Sequence, residues 1–144
     1  MSVPVRRALY GKMAGDGTLT GSLATPPAGY SKSIYYQVAP QGAAFPYVIF
    51  QKQSGTPFYA WSDLALDNEL WLVKGVSQAS ADQDSADSAD GIASRLDDLL
   101  TDGAISISGR DDRYLRRESD IDYSEVEDGV VYRHAGSLFR LIYA

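Results

Sequence analysis

The chain has 144 residues, 13 basic and 19 acidic side chains, a formal net charge of −6, one histidine and no cysteine. Disulfides and zinc–thiolate centres are thereby excluded, and no apolar run approaches the roughly 18 residues that span a bilayer. The acidic balance argues against a DNA-wrapping surface, which needs clustered lysine and arginine, whereas a protein that only lets DNA pass has no such need.

The length fits one domain, residues 1–144, able to bury a core. Arg6 and Arg7 are not followed by an apolar core and a small-residue cleavage site, so no signal peptide is expected. Val3 to about Ala14 predicts a helix. Ser2 offers an N-cap, Pro4 suits the first turn, and Val5, Leu9 and Met13 share one face. Gly15-Asp16-Gly17 then stops it. Thr18–Ser33 reads as a long loop broken by Pro26, Pro27 and Gly29, and fits either a variable surface loop or an interaction loop.

Ile34–Val38 predicts a strand, followed by a turn through Gly42 and a strand over Tyr47–Gln53. Pro46 lacks an N–H and biases Phe45 towards extended backbone, so it suits the residue that opens a strand. Ser54–Asp67 reads as a breaker-rich loop holding Phe58, Tyr59 and Trp61. Glu69–Val76 contains the continuous apolar run Leu70-Trp71-Leu72-Val73, which predicts a central strand. An antiparallel meander is the simplest arrangement of these strands.

A second helix is predicted from about Ser85 to Thr101, its stripe running through Ala86, Ala89, Ala93, Leu96 and Leu100 and widened by Ile92 and Leu99. Gly103 stands where a C-terminal glycine cap belongs, and Gly91 weakens the helix by about 1 kcal/mol relative to alanine. Three more strands are expected over Ala104–Ser108, Tyr114–Tyr123 and Val130–Tyr143, the last two joined by Glu127-Asp128-Gly129. Gly136 predicts a bulge or bend. The order αβββαβββ describes an α+β fold, an antiparallel or mixed β-sheet with two helices packed on one face.

Signals of chemistry are few. His134, without a second histidine or a cysteine, cannot build the usual zinc or nucleophilic constellations and is expected on the sheet surface. Gly15-Asp16-Gly17 follows a helix, where phosphate loops follow a strand. Asp82-Gln83-Asp84 lacks the glycine and terminal glutamate of a calcium loop. Asp82, Asp84, Asp87 and Asp90 are favoured near a helix N-terminus by about 0.3–1 kcal/mol each. Asp97 and Asp98 oppose the dipole at the other end. A solvated face accounts for them, and so does a basic neighbour or an electronegative lumen.

Arg110, Arg113, Arg116 and Arg117 alternate with Asp111, Asp112 and Glu118, a mixed-sign patch better suited to a subunit interface than to nucleic acid. Opposite charges on two edges of a protomer permit head-to-tail contacts, which close into a ring when the rotation allows. Phe58, Tyr59 and Trp61 suit an interface, or fold back over a sheet edge. No catalytic residue, metal ligand or cofactor site is expected.

The element order, with Ala39-Pro40-Gln41-Gly42 and Phe45-Pro46-Tyr47-Val48 ahead of the middle strands, resembles the tail-terminator (tail-completion, head–tail joining) proteins of long-tailed bacteriophages. The resemblance runs from about Ala8 to Leu141, and the long Thr18–Ser33 segment departs from the family. It implies a non-enzymatic structural protein of the virion neck, made in the bacterial host cytoplasm and assembled as a homo-oligomer, a hexameric ring. Its partners would be the tail tube protein and the head–tail connector, with DNA passing through the lumen without specific binding and no membrane involved. On that view Phe58, Tyr59, Trp61 and the arginines make protein contacts, and Asp97 and Asp98 face the lumen or a neighbour. The alternative is a small non-enzymatic adaptor that presents the aromatic loop to a protein or small ligand.

Overall fold

Helix α1 (Val3–Ala14) forms as its spacing predicts, with Val5, Leu9 and Met13 fully buried. The computed structural model describes residues 3–61, 63–79, 85–101, 105–110 and 112–144. Asp16 does more than follow a helix stop. Its extended backbone and carboxylate cap a second, short helix, α2 (Gly17–Gly21), by accepting from the Leu19 N–H at 2.9 Å. Leu19 is completely buried, so the first part of the expected Thr18–Ser33 loop is a core element. Five residues flanked by glycine are too few for helical periodicity to register. The rest of that segment is tied down: Ser33 Oγ donates to the Ala24 carbonyl at 2.6 Å, and the Ala24 N–H donates to that of Pro46.

Strand β1 (Ile34–Tyr36) pairs in parallel with β2 (Tyr47–Ala60), which starts directly after Pro46; the Phe45–Pro46 bond is cis. The expected meander is therefore corrected at its first step, because the connection through Val38–Pro46 returns the chain to the same end of the sheet. β2 and β3 (Asp63–Ala79) form one long antiparallel hairpin, so Ser54–Asp67 is largely ladder rather than loop. Register shifts at Lys52/Ser54 and Phe58/Tyr59 let the ladder run past Gly55 and Pro57, the residues that read as breakers.

After α3 (Ser85–Leu100) come β4 (Asp112–Glu127) and β5 (Val130–Tyr143), joined through Asp128 and Gly129. Their φ values of 52° and 76° are the left-handed pair that a two-residue hairpin turn requires. β5 inserts between β3 and β4, giving a five-stranded mixed sheet of order β1-β2-β3-β5-β4. The described elements thus run ααβββαββ rather than αβββαβββ. The strand expected at Ala104–Ser108 is absent over its described part. Ile105 and Ile107 are buried core residues in irregular backbone, their alternation reflecting burial rather than strand structure. Ala104 and Gly103 lie outside the described residues.

Strand alternation sends Val48, Phe50, Trp71, Val73, Phe139, Leu141 and Tyr143 to one face. There they join a single apolar cluster with α1, Leu19 of α2, and Ile92, Leu96 and Leu100 of α3. On the opposite face a smaller cluster of Tyr35, Ile49 and Val76 is covered by Ala39, Ala43 and Phe45 of the β1–β2 connection. Asp16 joins the helical pieces: Arg95 of α3 donates to both of its oxygens, at 2.8 and 2.6 Å. That guanidinium, more than the cap, holds the Asp16 carboxyl below its ordinary pKa.

Two glycines set the closest approaches. A Cβ at Gly75 would collide with the Ile92 side chain of α3, and one at Gly136 with the Val73 carbonyl and Lys74 Cα. Gly136 therefore marks close backbone approach rather than the expected bulge, and the β3–β5 register runs through it unbroken. Gly136→Ala should lower unfolding free energy by about 3 kcal/mol or more, an overpacking that rigid backbone cannot relieve. Gly91→Ala, with open space around it in an exposed helix position, should raise it by about 0.5–1 kcal/mol. Urea denaturation of the two variants checks both signs.

Candidate functional site

The β2–β3 hairpin leaves the body of the molecule as an arm. From Gln53 to Trp61 every residue is exposed, about nine residues or 30 Å of strand at 3.4 Å each. Phe58 and Tyr59 are 62% and 61% exposed and Trp61 is 97% exposed, so none folds back over the sheet edge. Trp61 opens the turn between Ala60 and Asp63 with φ 56°, the left-handed conformation that a two-residue hairpin turn requires and that is costly for a bulky residue.

The base of this arm is knotted by a buried carboxylate that sequence reasoning passed over. Glu69 is 2% exposed, and Trp71 Nε1 donates to its Oε1 at 3.0 Å. Its Oε2 accepts from the Tyr143 hydroxyl at 3.0 Å and lies 3.1 Å from Lys52 Nζ. Burial, and then the adjoining carboxylate, push the Tyr143 phenol well above its ordinary pKa, keeping it a donor. Arg110 covers the Tyr143 ring at 4.8 Å and pairs with Asp67 at 2.9 Å. Both Glu69 oxygens are thus engaged in holding three strands together. Only Glu69's place directly before the apolar run Leu70–Val73, on the same strand face as Trp71, signalled it, since nothing local links it to Lys52 or Tyr143.

The other charges are mostly closed within the chain. Arg117 lies 3.5 Å from Asp97 and 3.3 Å from Asp120, so two groups expected on separate contact surfaces face each other inside one protomer. Arg116 stacks over Tyr114 at 5.4 Å, Asp98 is exposed, and the side chain of Arg113 lies outside the described residues. Asp90 pairs with Arg133; Asp82, Asp84 and Asp111 lie outside the described residues, as do the side chains of Asp87 and Asp112.

His134 is not on the surface. It is 9% exposed on the helix-free face, stacked on Tyr123 with ring centroids 4.4 Å apart. Lys74 Nζ donates to the Tyr123 hydroxyl at 2.7 Å, and Glu125 lies 3.5 Å from the imidazole. Burial, followed by Lys74, lowers the His134 pKa against the weaker opposing pull of Glu125. Among the described residues no group of three or more His, Asp or Glu could hold a metal, and no helix is long and apolar enough to cross a membrane.

A third feature lies at the opposite side of the molecule. Between α1 and β1 a groove of about 380 Å³ is lined by Arg6, Arg7, Tyr10, Tyr30, Tyr36 and Val38. The Arg6 guanidinium stands 4.9 Å over the Tyr36 ring, and Tyr30 meets Tyr35 edge-on at 5.4 Å. Tyr30 and Tyr36 thus line the groove, apart from Phe58, Tyr59 and Trp61 on the arm.

The architecture is an α+β protein built on a mixed sheet with a projecting hairpin. No protein-family model and no curated protein sequence matches the chain. Among solved structures it is similar to a chain from the virion of a native gene transfer agent (GTA) particle, with a TM-score of 0.73 and 13% identity. The match covers 97% of this chain and 95% of that one. At this identity the likeness is one of fold, and it extends over nearly all of both chains.

Two outcomes follow. Lys52→Met leaves Glu69 buried beside two neutral donors and should cost about 2–3 kcal/mol, less than breaking a fully enclosed pair because the lysine is partly solvated. Adding Glu69→Gln to that variant should recover part of the loss in urea unfolding. For His134 the fold favours the neutral ring, so below pH 6.5, histidine's ordinary value, the unfolded chain takes up the proton first. Stability should hold above that value and fall as pH drops through the lowered folded pKa. His134→Gln should flatten the dependence between pH 7 and about 5 in thermal melts.

Proposed function

We propose that this chain is a structural protein of a phage-like particle, one that forms a ring ending the tail tube and joining it to the head connector. The supporting observation is the near end-to-end fold likeness to a GTA virion chain, at 97% and 95% coverage. The element order and the Phe45-Pro46-Tyr47-Val48 segment support the same reading from the sequence side. The protein acts without catalysis. Its buried carboxylate is committed to strand contacts, and its largest exposed apolar feature is a rigid arm rather than an enclosed cleft.

Mechanically, such a protein must end a polymer, hold the next component and leave a passage for DNA. The arm suits the docking task, since Phe58, Tyr59 and Trp61 offer aromatic area already free of internal packing. From Gln53 to Ser62 the chain has no charge, and with only Asp63 beside this aromatic stretch the arm suits a largely apolar partner surface such as that of a tube or connector protein. The overall charge of −6 suits a lumen through which DNA moves without sticking.

The variant Phe58→Ser with Trp61→Gly should fold at least as stably as the parent, because glycine accepts the positive φ at the turn. It should nevertheless fail to join tail tubes. Light scattering of the parent chain, with negative-stain imaging of tubes assembled in its presence, is expected to show rings capping tubes of defined length. Tubes that grow unchecked with the parent present, or that are capped equally by the variant, would overturn the assignment.

A further inference from the structure

The chain's charge is strongly divided. Residues 1–52 carry five basic side chains and one acidic, whereas residues 53–144 carry eight basic and eighteen acidic. The single acid of the first part, Asp16, is taken by Arg95. Among the described residues Arg6, Arg7 and Lys32 make no ion pair, and Arg6 and Arg7 stand at the aromatic groove beside β1. Sheet order puts β1 at one edge and β4 at the other. From Glu118 to Asp128 the far edge and its turn have six acids and no base.

Within that run the first three acids are answered internally: Glu118 by Arg140, Asp120 by Arg117 and Asp122 by Arg133. The tip is not. Glu125 is 61% exposed and has only the neutral His134 near it, and Glu127 and Asp128 have no partner among the described residues. Val126 stands between the two glutamates, 71% exposed. The tip is an apolar knob flanked by carboxylates, and the groove is an aromatic trough flanked by guanidiniums that no carboxylate among the described residues pairs with.

We infer that the β4–β5 hairpin tip of one copy, Glu125–Asp128, seats in the Arg6/Arg7 groove of a second copy and joins the molecules head to tail. Charge selects this occupant over the alternatives. The β2–β3 arm carries a single acid at its end, Asp63, against three at the β4–β5 tip, and so answers the two arginines less well. Pairing of two β4 edges, which a long exposed edge strand invites, would leave the groove and its arginines empty. Groove and tip lie on opposite edges of the sheet, so the contact is heterologous and repeats around a ring or along a filament. It rests on the proposed ring only for its closure, and it leaves the aromatic arm free for a different component.

The chain lacks cysteine, so the contact can be read by directed disulfides. Val38→Cys in one chain and Val126→Cys in another, mixed under mild oxidation, should form a covalent dimer. The rate should be about tenfold that of Val38→Cys with Ala60→Cys on the arm, the gain in local concentration that a docked site supplies. Added salt should erase the advantage. R6E/R7E on the Val38→Cys chain should abolish it, and E125K/E127K on the partner should restore it, with circular dichroism confirming that each chain is folded. Equal rates for the Val126 and Ala60 positions, or an advantage untouched by R6E/R7E, would overturn the contact. A chain bearing both cysteines separates this from the ring. A cross-linked ladder that never closes leaves the contact standing and removes the ring. Closed rings without the Val38–Val126 bond keep the ring and remove the contact.

Discussion

Everything in this molecule hangs on how closely α3 can approach the middle of the sheet. Ile92 settles onto bare backbone at Gly75, and one strand over Gly136 brings β5 equally close to Val73 and Lys74. Interiors pack at crystal-like density and do not yield to an added methyl at such points. With α3 seated, Arg95 is in position to grip Asp16, and that grip brings α1 and α2 over the same face. The helical layer is thus assembled from one seat outward.

Placing all the helices on one side has a cost and a use. The opposite face must manage its own exposure. It does so with the Phe45 segment over Tyr35, Ile49 and Val76, and with aromatic and charged side chains such as Tyr123 and Lys74 elsewhere. In return, no helix obstructs either end of the long strands, and both hairpins run free. The Glu69 knot gives the β2–β3 arm a stiff root: a carboxylate fixed by donors from Trp71 and Tyr143 and an amine from Lys52 leaves little room for the strands to slide. An arm with a fixed root and an aromatic end loses little freedom when it docks.

Much of this was legible in the residues. The periodicity of Val5, Leu9 and Met13, the α3 stripe, and the Asp128-Gly129 turn each mark their element because the signal is local. The misreadings share the opposite cause. Gly55 and Pro57 look like loop residues until a register shift accommodates them, and Ile105 and Ile107 alternate like a strand although both are buried from irregular backbone. Parallel pairing of β1 leaves no trace in a three-residue stretch. Asp97 and Arg117 were each visible as charges, but their facing one another depends on how α3 lies across β4. The basic groove was hidden differently: a net charge taken over the whole chain averages away a divided one.

The strand order also dictates a sequence of events during synthesis. β4 is made before β5, yet β5 lies between β4 and β3, so β4 has no bonded neighbour until the following strand exists. Until then the acidic edge is a tethered ribbon, and the β3–β5 pairing that completes the sheet joins residues from 52 (Ala79↔Val131) to 76 (Asp67↔Tyr143) positions apart. Pairings of that range are slow to form because a large loop must close first. A nascent chain therefore lacks a properly presented hairpin tip until its central strand has zipped in, and premature joining between half-made copies is prevented by topology alone.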